Sequence, residues 1–404
     1  MSLKVLDLFC GAGGFSLGFS RAGFRTVAAI DNDEDALATY RYNLQDLAYC
    51  LDLGAYPANE ILELIDIGPD DVDVIIGGPP CTRFSPLAPE DDPDALRSLL
   101  QTYLDYVKAI EPRAFVMENV KGLPSRHREY LDAVLDRADD LGYDVDYRVL
   151  TASDYGVPQG RDRIFVVGFH GSEGGEFEWP TPTTEDNPPT ARSVLWGGAS
   201  PGDGWPNSEE SSHQPHIVEN WREGGYKNDP YSDLQHQIRL HPDEPSWTIT
   251  AGNQHFHPAK PRALTPREEA SLQSFPRWYH FAGGMGSASK QVGNAVPPKL
   301  AEYIGRALLE SLGEPSRLPT DSVGMSMKEL SSLSGHLTER EVEAILLRSA
   351  GLSWREVGEE MGIALKTASN LYYRAEEKAE EAEEKIKKAR ETIEAFERLT
   401  RGDI

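Results

Sequence analysis

Short apolar runs alternate with amphipathic stretches along the first 170 residues. Val72–Ile76 is rich in β-branched side chains and is closed by two glycines and two prolines, which predicts a buried strand that ends in a stiff loop. Comparable runs predict strands at Lys4–Phe9, Thr26–Ile30 and Ala114–Met117. Helical periodicity predicts helices at Phe15–Ala22, Glu34–Asn43 and Asp94–Ile110. This alternation predicts an α/β fold with a doubly wound, mainly parallel sheet.

Two reactive side chains follow neighbouring predicted strands. Cys81 lies at the tip of the loop GGPPCTRFS, where two prolines fix φ and remove backbone donors. Open α/β sheets carry reactive groups beyond the carboxyl ends of their strands, so Cys81 is a candidate nucleophile. A small buried hydrophobic residue is the equal alternative. Glu118 closes the next strand and would face the same small ring, and its alternative is a surface carboxylate or a helix cap.

The first strand leads into a glycine-rich turn, Cys10–Gly14, which would let a cofactor approach the backbone at a helix N-terminus. Its G-x-G-G spacing differs from the G-x-G-x-x-G of dinucleotide binders, because Ser16 stands in the place of the third glycine. Asp31 ends the second strand and suits the hydroxyls of a ribose, although a simple helix N-cap is the alternative. A third strand is predicted to end near Asp52, again on an acid.

Later segments add polar chemistry and helix signals. Gln159, Arg161 and Arg163 alternate at period two, so an extended segment would point all three toward one polar or anionic ligand. Thr265 is followed by Pro266 and, three residues after the cap, by a glutamate, which predicts a capped helix. The stretch QVGNAVPP is predicted to open a last helix that runs to about residue 312.

We interpret the net charge of −26 as an adaptation of the protein to its solvent and not as evidence about its binding partner. Phosphate binding favours a basic face, but here the acids are spread along the chain, and 27 of the 40 basic residues are Arg. Such a surface resembles that of proteins from salt-loving organisms, where salt screens self-repulsion. Three cysteines at no metal-like spacing indicate neither a disulfide framework nor a metal site and fit a reducing cytoplasm. No apolar stretch approaches about 18 residues, so no membrane span is expected.

Eight blocks in this order resemble the DNA (cytosine-5) methyltransferases, from residue 7 to about residue 313. They are DLFCGAGG, an acid after the second strand, GGPPC-x-x-FS, ENV, Q-x-R-x-R, PSWTIT, LTPREEASLQSFP and QVGNAVPP. The resemblance implies the S-adenosylmethionine-dependent methyltransferase fold. It also implies methylation of carbon 5 of a cytosine that is flipped out of a specific double-stranded DNA sequence.

The resemblance also implies roles for individual residues. Cys81 would add to carbon 6 of the cytosine, which makes carbon 5 nucleophilic. Glu118 would bind the N3 and amine edge, and Arg163, with Arg161, would hold the flipped base or its phosphates. S-adenosyl-L-methionine is the implied cofactor, and the implied binding residues are Phe9, Gly11, Gly13, Gly14, Asp31, Asp52, Leu53, Pro80, Leu99, Asn294 and Val296.

The domain plan combines the resemblance with changes in composition. We predict a catalytic domain in two parts, 1–170 and 262–313, around a loop-rich target-recognition domain at 171–261. A linker (314–336), a helix-turn-helix (337–374) that resembles those of response regulators and sigma factors, and a heptad-patterned helix (375–404) follow. A plain three-helix bundle is the alternative to the helix-turn-helix. The candidate groove-facing residues are Lys366, Thr367, Ser369, Asn370 and Arg374.

Partners and alternative functions follow from the same plan. Double-stranded DNA and a cognate restriction endonuclease are the expected partners, and the chain is expected to be a monomer or a weak homodimer through its last helix. Folding back of that helix is the alternative to dimerisation. Two other functions stay open: a DNA-binding regulator whose methyltransferase fold senses the cofactor, and an RNA cytosine-5 methyltransferase.

Overall fold

The computed structural model describes residues 2–44, 46–80, 93–171, 177–196, 206–210, 237–251 and 254–313. These residues all belong to the first of two units into which the chain divides, Met1–Ser316 and Arg317–Ile404. The main sheet is formed by β1 (Lys4–Leu8), β2 (Arg25–Asp31), β3 (Ala48–Cys50), β4 (Val74–Gly77), β5 (Ala114–Val120), β6 (Tyr143–Thr151) and, after the short β7 (Gln159–Gly160), β8 (Asp162–His170).

The strand order of this seven-stranded sheet is β3-β2-β1-β4-β5-β8-β6. Neighbours from β3 to β5 are parallel, whereas β8 runs antiparallel to both β5 and β6. The order turns around at β1, with β2 on one side and β4 on the other. This arrangement confirms the predicted doubly wound, mainly parallel sheet. The carboxyl ends of β1, β2, β4 and β5 meet at one edge, where such sheets bind ligands.

Helices follow most of these strands. They are α1 (Gly14–Ala22), α2 (Glu34–Asn43), α3 (Ala58–Leu64), α4 (Pro93–Ile110), α5 (Arg128–Asp140), α6 (Ala191–Leu195), α7 (Pro266–Leu272), α8 (Met285–Asn294) and α9 (Pro298–Ser311). Among the described residues, 3-10 turns lie at Pro69–Asp71 and Ala152–Tyr155, and the further short strands are β9 (Gln237–Arg239), β10 (Ser246–Trp247) and β11 (Gln254–Phe256). Across the described ranges, we find no helix long and apolar enough to cross a membrane.

Apolar residues cover both faces of the sheet, as the short, uninterrupted apolar runs predicted. On β4, Ile75 packs into one cluster with Tyr103 of α4, whereas Val74 and Ile76 pack into the opposite cluster with Leu300 of α9. All five side chains are fully buried. Full burial of a large apolar side chain contributes about 1.5–3 kcal/mol, so the two clusters supply most of the force that holds helices to the sheet.

Helices α1 and α9 pack closely against each other. A Cβ built on Gly18 of α1 would lie 2.4 Å from both Ala301 Cβ and Pro298 O of α9. A Cβ on Gly14 would lie 2.3 Å from Val296 O. Both distances are shorter than any real Cβ contact. Glycine at these positions therefore allows residues 293–301, which we call the returning segment, to lie directly against the turn that follows β1 and against α1.

Local signals predicted several elements correctly, but the strand predicted at Ala114–Met117 continues to Val120, and the predicted start of the helix that ends near residue 312 was wrong. Helix α2 spans the predicted residues, and Thr265 and Glu268 form the predicted capping box at the start of α7. The stretch QVGNAVPP does not open the last helix, because Asn294 ends α8 and a separate helix, α9, begins at Pro298. Ala295 is extended, and Pro297 and Pro298 lack the backbone N–H groups that a continuous helix would need.

Candidate active site

The glycine-rich turn after β1 has three residues with left-handed backbone angles: φ is 56° at Phe9, 51° at Gly11 and 85° at Gly13. A Cβ on Gly13 would lie 2.6 Å from Leu44 Cδ1, so a side chain does not fit there. In contrast, no heavy atom in the described part of the chain lies within 4 Å of a Cβ built on Gly11. The turn is therefore closed at Gly13 and open at Gly11, where a ligand can approach the backbone.

The Asp31 carboxylate shapes this turn from the end of β2. Its Oδ2 accepts a hydrogen bond from Gly11 N at 2.8 Å, and its Oδ1 accepts one from Asp33 N at 2.9 Å. Burial raises the pKa of Asp31, while the backbone hydrogen bonds from Asp33 and Gly11 act in the opposite direction. The predicted ribose-binding acid thus lies beside the open side of the turn, and Asp33 is the residue that caps α2.

An apolar and an acidic side chain lie together beyond β3. Leu53 is buried, and a Cβ built on Gly54 would lie 3.5 Å from both Asp52 Oδ1 and Leu99 Cδ2. Leu99 is half-buried and Asp52 is exposed. A flat apolar ring with polar edges fits such a combination of side chains.

The remaining predicted cofactor residues come from β4 and from the returning segment. Pro80 is exposed beyond the end of β4, and Asn294 is exposed at the end of α8. Val296 is buried, with its carbonyl against Gly14. The open backbone at Gly11, the carboxylate beside it and the apolar side chains beyond β3 together fit a nucleoside-containing cofactor. S-adenosyl-L-methionine is of this kind.

Glu118 lies next to the backbone that leads to Cys81. A Cβ on Gly78 would lie 3.3 Å from Glu118 Oε2. The adjacent Asn119 donates its Nδ2 hydrogen to Pro79 O at 2.9 Å, which fixes the start of this loop. Asn119 was not predicted as a site residue, although its position directly after Glu118 at the end of the strand was the signal for it.

Arg163 forms an ion pair with Glu118 across the pairing of β5 and β8. Arg163 Nε lies 2.9 Å from Glu118 Oε1, and both side chains are largely buried. Arg163 Nη1 also donates to the carbonyl of Asp162 at 2.8 Å. The pair therefore has a fixed orientation, with Glu118 Oε2 directed toward Gly78 and Oε1 held by the guanidinium.

The other two members of the Q-x-R-x-R stretch do not share this surface. Arg161 lies between β7 and β8, is 1% exposed, and donates to the carbonyls of Ile249 at 2.9 Å and Gly293 at 3.0 Å. Gln159 accepts a hydrogen bond from Ile249 N at 3.0 Å. Only Arg163 therefore reaches Glu118, and the prediction of three donors facing one ligand does not hold for the two buried side chains.

Two buried groups beneath the glycine turn were not predicted from the sequence. Tyr279 donates its hydroxyl hydrogen to Ala12 O inside the turn, across 267 positions of sequence. Asp7 Oδ2 accepts a hydrogen bond from Ser16 Oγ at 2.6 Å, and Ser16 Oγ in turn accepts one from Tyr40 at 2.8 Å. Burial raises the pKa of Asp7 to about 7. An acid in the middle of an apolar strand was the only sequence signal for this network.

Several predicted residues lie outside the described residues. They are the candidate nucleophile Cys81 and the proposed groove-facing residues Lys366, Thr367, Ser369, Asn370 and Arg374.

Comparison with known proteins identifies the family. The model of the C-5 cytosine-specific DNA methylase family matches residues 3–310. The chain belongs to this family. It is 36% identical over 333 residues to the type II methyltransferase M.AplI of Arthrospira platensis, covering 79% of this chain and 89% of that protein. It is 38% identical over 331 residues to the type II methyltransferase M1.HphI of Haemophilus parahaemolyticus, covering 77% and 87%.

Solved structures of methyltransferases share the fold. A candidate DNA modification methyltransferase encoded within a prophage (E. coli) superposes with a TM-score of 0.66 at 27% identity, covering 78% of this chain and all of that chain. The Dnmt2 methyltransferase of S. pombe gives a TM-score of 0.54 at 19% identity, which shows the fold alone. The chain is thus a DNA methyltransferase, and its family and fold imply S-adenosyl-L-methionine as the cofactor.

Proposed function

We propose that the chain methylates carbon 5 of a cytosine flipped out of a specific double-stranded DNA sequence, by way of a covalent bond to Cys81. The observation that carries this proposal is the position of the Glu118–Arg163 pair beside Gly78 and Pro79, because Pro79 is two residues from Cys81. A base inside a duplex cannot present carbon 6 to a thiolate, so flipping is required.

Cys81 acts as the nucleophile in this mechanism. Its sulfur forms a bond to carbon 6, the 5,6 double bond of the ring is lost, and carbon 5 gains the electron density of an enamine. A thiol with an ordinary pKa of about 8.5 provides enough thiolate near neutral pH. S-adenosyl-L-methionine, when bound, supplies the methyl group that carbon 5 takes up. Loss of the proton from carbon 5 then expels the sulfur and restores the aromatic ring.

Glu118 and Arg163 hold the other edge of the ring. Glu118 binds N3 and the exocyclic amine and shares a proton with N3 as charge develops there. Arg163 fixes the orientation of that carboxylate and binds the flipped base. Phe9, the glycines of the turn and Asp31 would hold the cofactor. Arg161 was predicted to assist Arg163 with the base or its phosphates, and its burial favours a positioning role instead.

Trapping with 5-fluorocytosine tests the covalent step. Fluorine at carbon 5 of the target cytosine blocks the final proton loss, so the wild-type protein should form a denaturation-resistant adduct with such DNA in the presence of cofactor. Cys81→Ala should form no adduct and should lose methylation while it keeps its affinity for the cofactor. Cys50→Ala is the matched control, because Cys50 is an exposed free thiol at the end of β3. An adduct formed by Cys81→Ala, or none in an active wild type, contradicts the proposal.

The relatives support a biological setting. M.AplI and M1.HphI are type II methyltransferases. We therefore infer that this chain protects DNA as the modification half of a restriction-modification pair in the cytoplasm. An endonuclease that cuts only DNA not treated with this chain would support the pairing. We also infer that the acidic surface is an adaptation to salt, and an activity optimum near 0.1 M KCl, where the Debye length is about 10 Å, would contradict this.

The predicted C-terminal helix-turn-helix is proposed to assist DNA binding without taking part in the chemistry. The family model ends at residue 310, before the predicted linker. Removal of residues 325–404 should therefore raise the DNA concentration needed for half-maximal rate and leave the saturating rate nearly unchanged. If the dependence on DNA concentration stays the same, the tail serves dimerisation or a protein partner instead.

A further inference from the structure

The backbone of Ile249 is held from both sides by the Q-x-R-x-R stretch. Its N–H donates to Gln159 Oε1 at 3.0 Å, and its carbonyl accepts from Arg161 Nη1 at 2.9 Å. The neighbouring Thr248 donates its hydroxyl hydrogen to Gly160 O at 3.0 Å, and β10 pairs with β7 just before it. The end of the predicted target-recognition domain is therefore bound along its length to this stretch of the catalytic domain.

Arg161 also reaches the end of α8 directly, and Gln159 reaches it through Gln273. Arg161 Nη2 donates to Gly293 O at 3.0 Å. Gln159 Nε2 donates to Gln273 Oε1 at 3.0 Å, and Gln273 Nε2 donates to Val292 O at 2.8 Å. The next residue after Gly293 is the proposed cofactor residue Asn294. Arg161 and Gln159 thus bridge two segments that are more than forty positions apart in the sequence.

The bridged segments also contact each other directly. A Cβ built on Gly293 would lie 2.4 Å from Ala251 N and 2.6 Å from the Thr250 carbonyl carbon, so the two backbones lie too close for any other residue. On its other side, the returning segment places Val296 O against Gly14 of the cofactor turn. Ile249 is therefore linked to the cofactor turn by backbone contact as well as by hydrogen bonds.

The burial of Arg161 determines which groups its side chain can bind. The side chain is 1% exposed, and Gln159 and Gln273 are fully buried. A guanidinium away from water is costly unless its hydrogens are bound, and each terminal nitrogen of Arg161 donates to one backbone carbonyl, whereas its Nε has no hydrogen-bond partner among the described residues. Burial, and then the nearby charge of Arg163, lower the pKa of Arg161 to about 9. No exposed part of the fork is left to bind a base or a phosphate.

We propose that Arg161 and Gln159 are positioning residues that fix the 246–251 stretch and the 293–296 segment in one geometry, so that the DNA-facing and cofactor-facing parts of the site are set together. That the two ligands are DNA and S-adenosyl-L-methionine rests on the proposed function. Loss of the bridge should loosen both binding surfaces and leave the Glu118–Arg163 pair in place, because that pair depends on β5 and β8.

The test compares Arg161→Met with Arg163→Met in the full-length chain. Calorimetry measures S-adenosyl-L-methionine affinity without DNA, and kinetics measure kcat and the DNA concentration for half-maximal rate. Arg161→Met should weaken cofactor affinity about tenfold, raise the half-maximal DNA concentration several-fold and change kcat by no more than about threefold. Arg163→Met should lower kcat at least about a hundredfold with cofactor affinity within about twofold.

Conservative variants keep the test decisive if Arg161→Met fails to fold, as judged by circular dichroism. Arg161→Lys keeps the charge and one donor and should recover part of the affinity, and Gln159→Met should reproduce the loss. A fall in kcat with cofactor affinity unchanged in the Arg161 variants would assign Arg161 to the reacting base and overturn the proposal, as would wild-type values throughout. An absence of DNA methylation by the wild type would overturn the proposed function, whereas the calorimetric comparison still decides the positioning role.

Discussion

The two sides of the active site are built differently. On the cofactor side, the glycine turn and Asp31 lie within one strand-helix-strand unit, and Gly11 and Asp31 are 20 positions apart. Behind the base side, the buried Arg161 contacts Ile249 and Gly293, which are 88 and 132 positions away. The cofactor side is shaped largely by local backbone geometry. The Arg161 bridge forms only when distant segments have closed on one another, so the two regions should fail in different ways when they are mutated.

The largest expected effect is on the base side. Glu118→Gln removes the negative charge and the proton that the cytosine ring needs, so kcat should fall by about 10²–10⁴. Cofactor affinity should stay within about twofold, because Glu118 lies in β5, near its carboxyl end, and not in the glycine turn that follows β1. Steady-state kinetics and calorimetry measure the two quantities. Glu129→Gln, at an exposed position on α5, is the control and should behave like the wild type.

The next effect tests the contact between the turn and the returning segment. Gly14→Ala places a Cβ 2.3 Å from Val296 O, so the backbones must move apart. We expect a loss of about 1–3 kcal/mol in unfolding free energy and a parallel loss of cofactor affinity. Gly286→Ala is the control, since no heavy atom of the described residues lies within 4 Å of a Cβ there. Equal stability of the two variants in urea unfolding would show that the contact is not tight.

A smaller effect is expected from Asp31→Asn. One carboxylate oxygen becomes an amide nitrogen, so either Gly11 N or Asp33 N loses its acceptor. An unsatisfied, partly buried N–H costs about 1–3 kcal/mol of folding stability. Cofactor affinity should in addition fall roughly tenfold, because an amide binds the ribose hydroxyls more weakly than a carboxylate does. Asp33→Asn is the matched control, because asparagine caps a helix as well as aspartate does. Similar calorimetric affinities for the two variants would remove Asp31 from the cofactor site.

The smallest effect concerns pH. Because burial raises the pKa of Asp7 to about 7, the folded protein keeps a proton between about pH 4 and pH 7 that the unfolded chain releases. This contribution to stability is therefore lost as pH rises through 7. Asp7→Asn does not titrate, so its unfolding free energy relative to the wild type should increase from pH 5, by on the order of 1 kcal/mol per pH unit up to pH 7, and should then level off. Its Tm relative to the wild type should rise by a few °C between pH 5 and pH 8. A difference in Tm that is constant across this range would contradict the buried acid.

The same contrast explains what could be predicted from the sequence. The bounds of α2 and the capping box at Thr265 depend on neighbouring residues, and both were predicted correctly. Glu118 followed from its place at the end of a strand, because parallel strands bring their carboxyl ends to one edge. The burial of Arg161 had no local signal, since the period-two alternation of its stretch is the same whether its partner is a ligand or the carbonyl of Ile249.

The boundary error at the last helix has a different origin. The two adjacent prolines indicated where the helix begins, but the family resemblance led us to treat QVGNAVPP as one block. The structure separates it into the end of α8, an extended link and the start of α9. Family blocks therefore mark which residues act together, whereas backbone chemistry decides where an element begins.

The packing of α1 against α9 also sets an order of events during synthesis. Gly18 is synthesised about 280 positions before Pro298, which it contacts in the folded protein. A ribosome that adds about 5–20 residues per second needs roughly 15–60 s to synthesise the chain between them. Throughout that interval the apolar side of α1, with Phe15 and Phe19, lacks its final partner. A nascent chain released before Pro298 would expose this side to chaperones and proteases, so truncated products of this gene should be cleared by the cell rather than accumulate as partial enzymes.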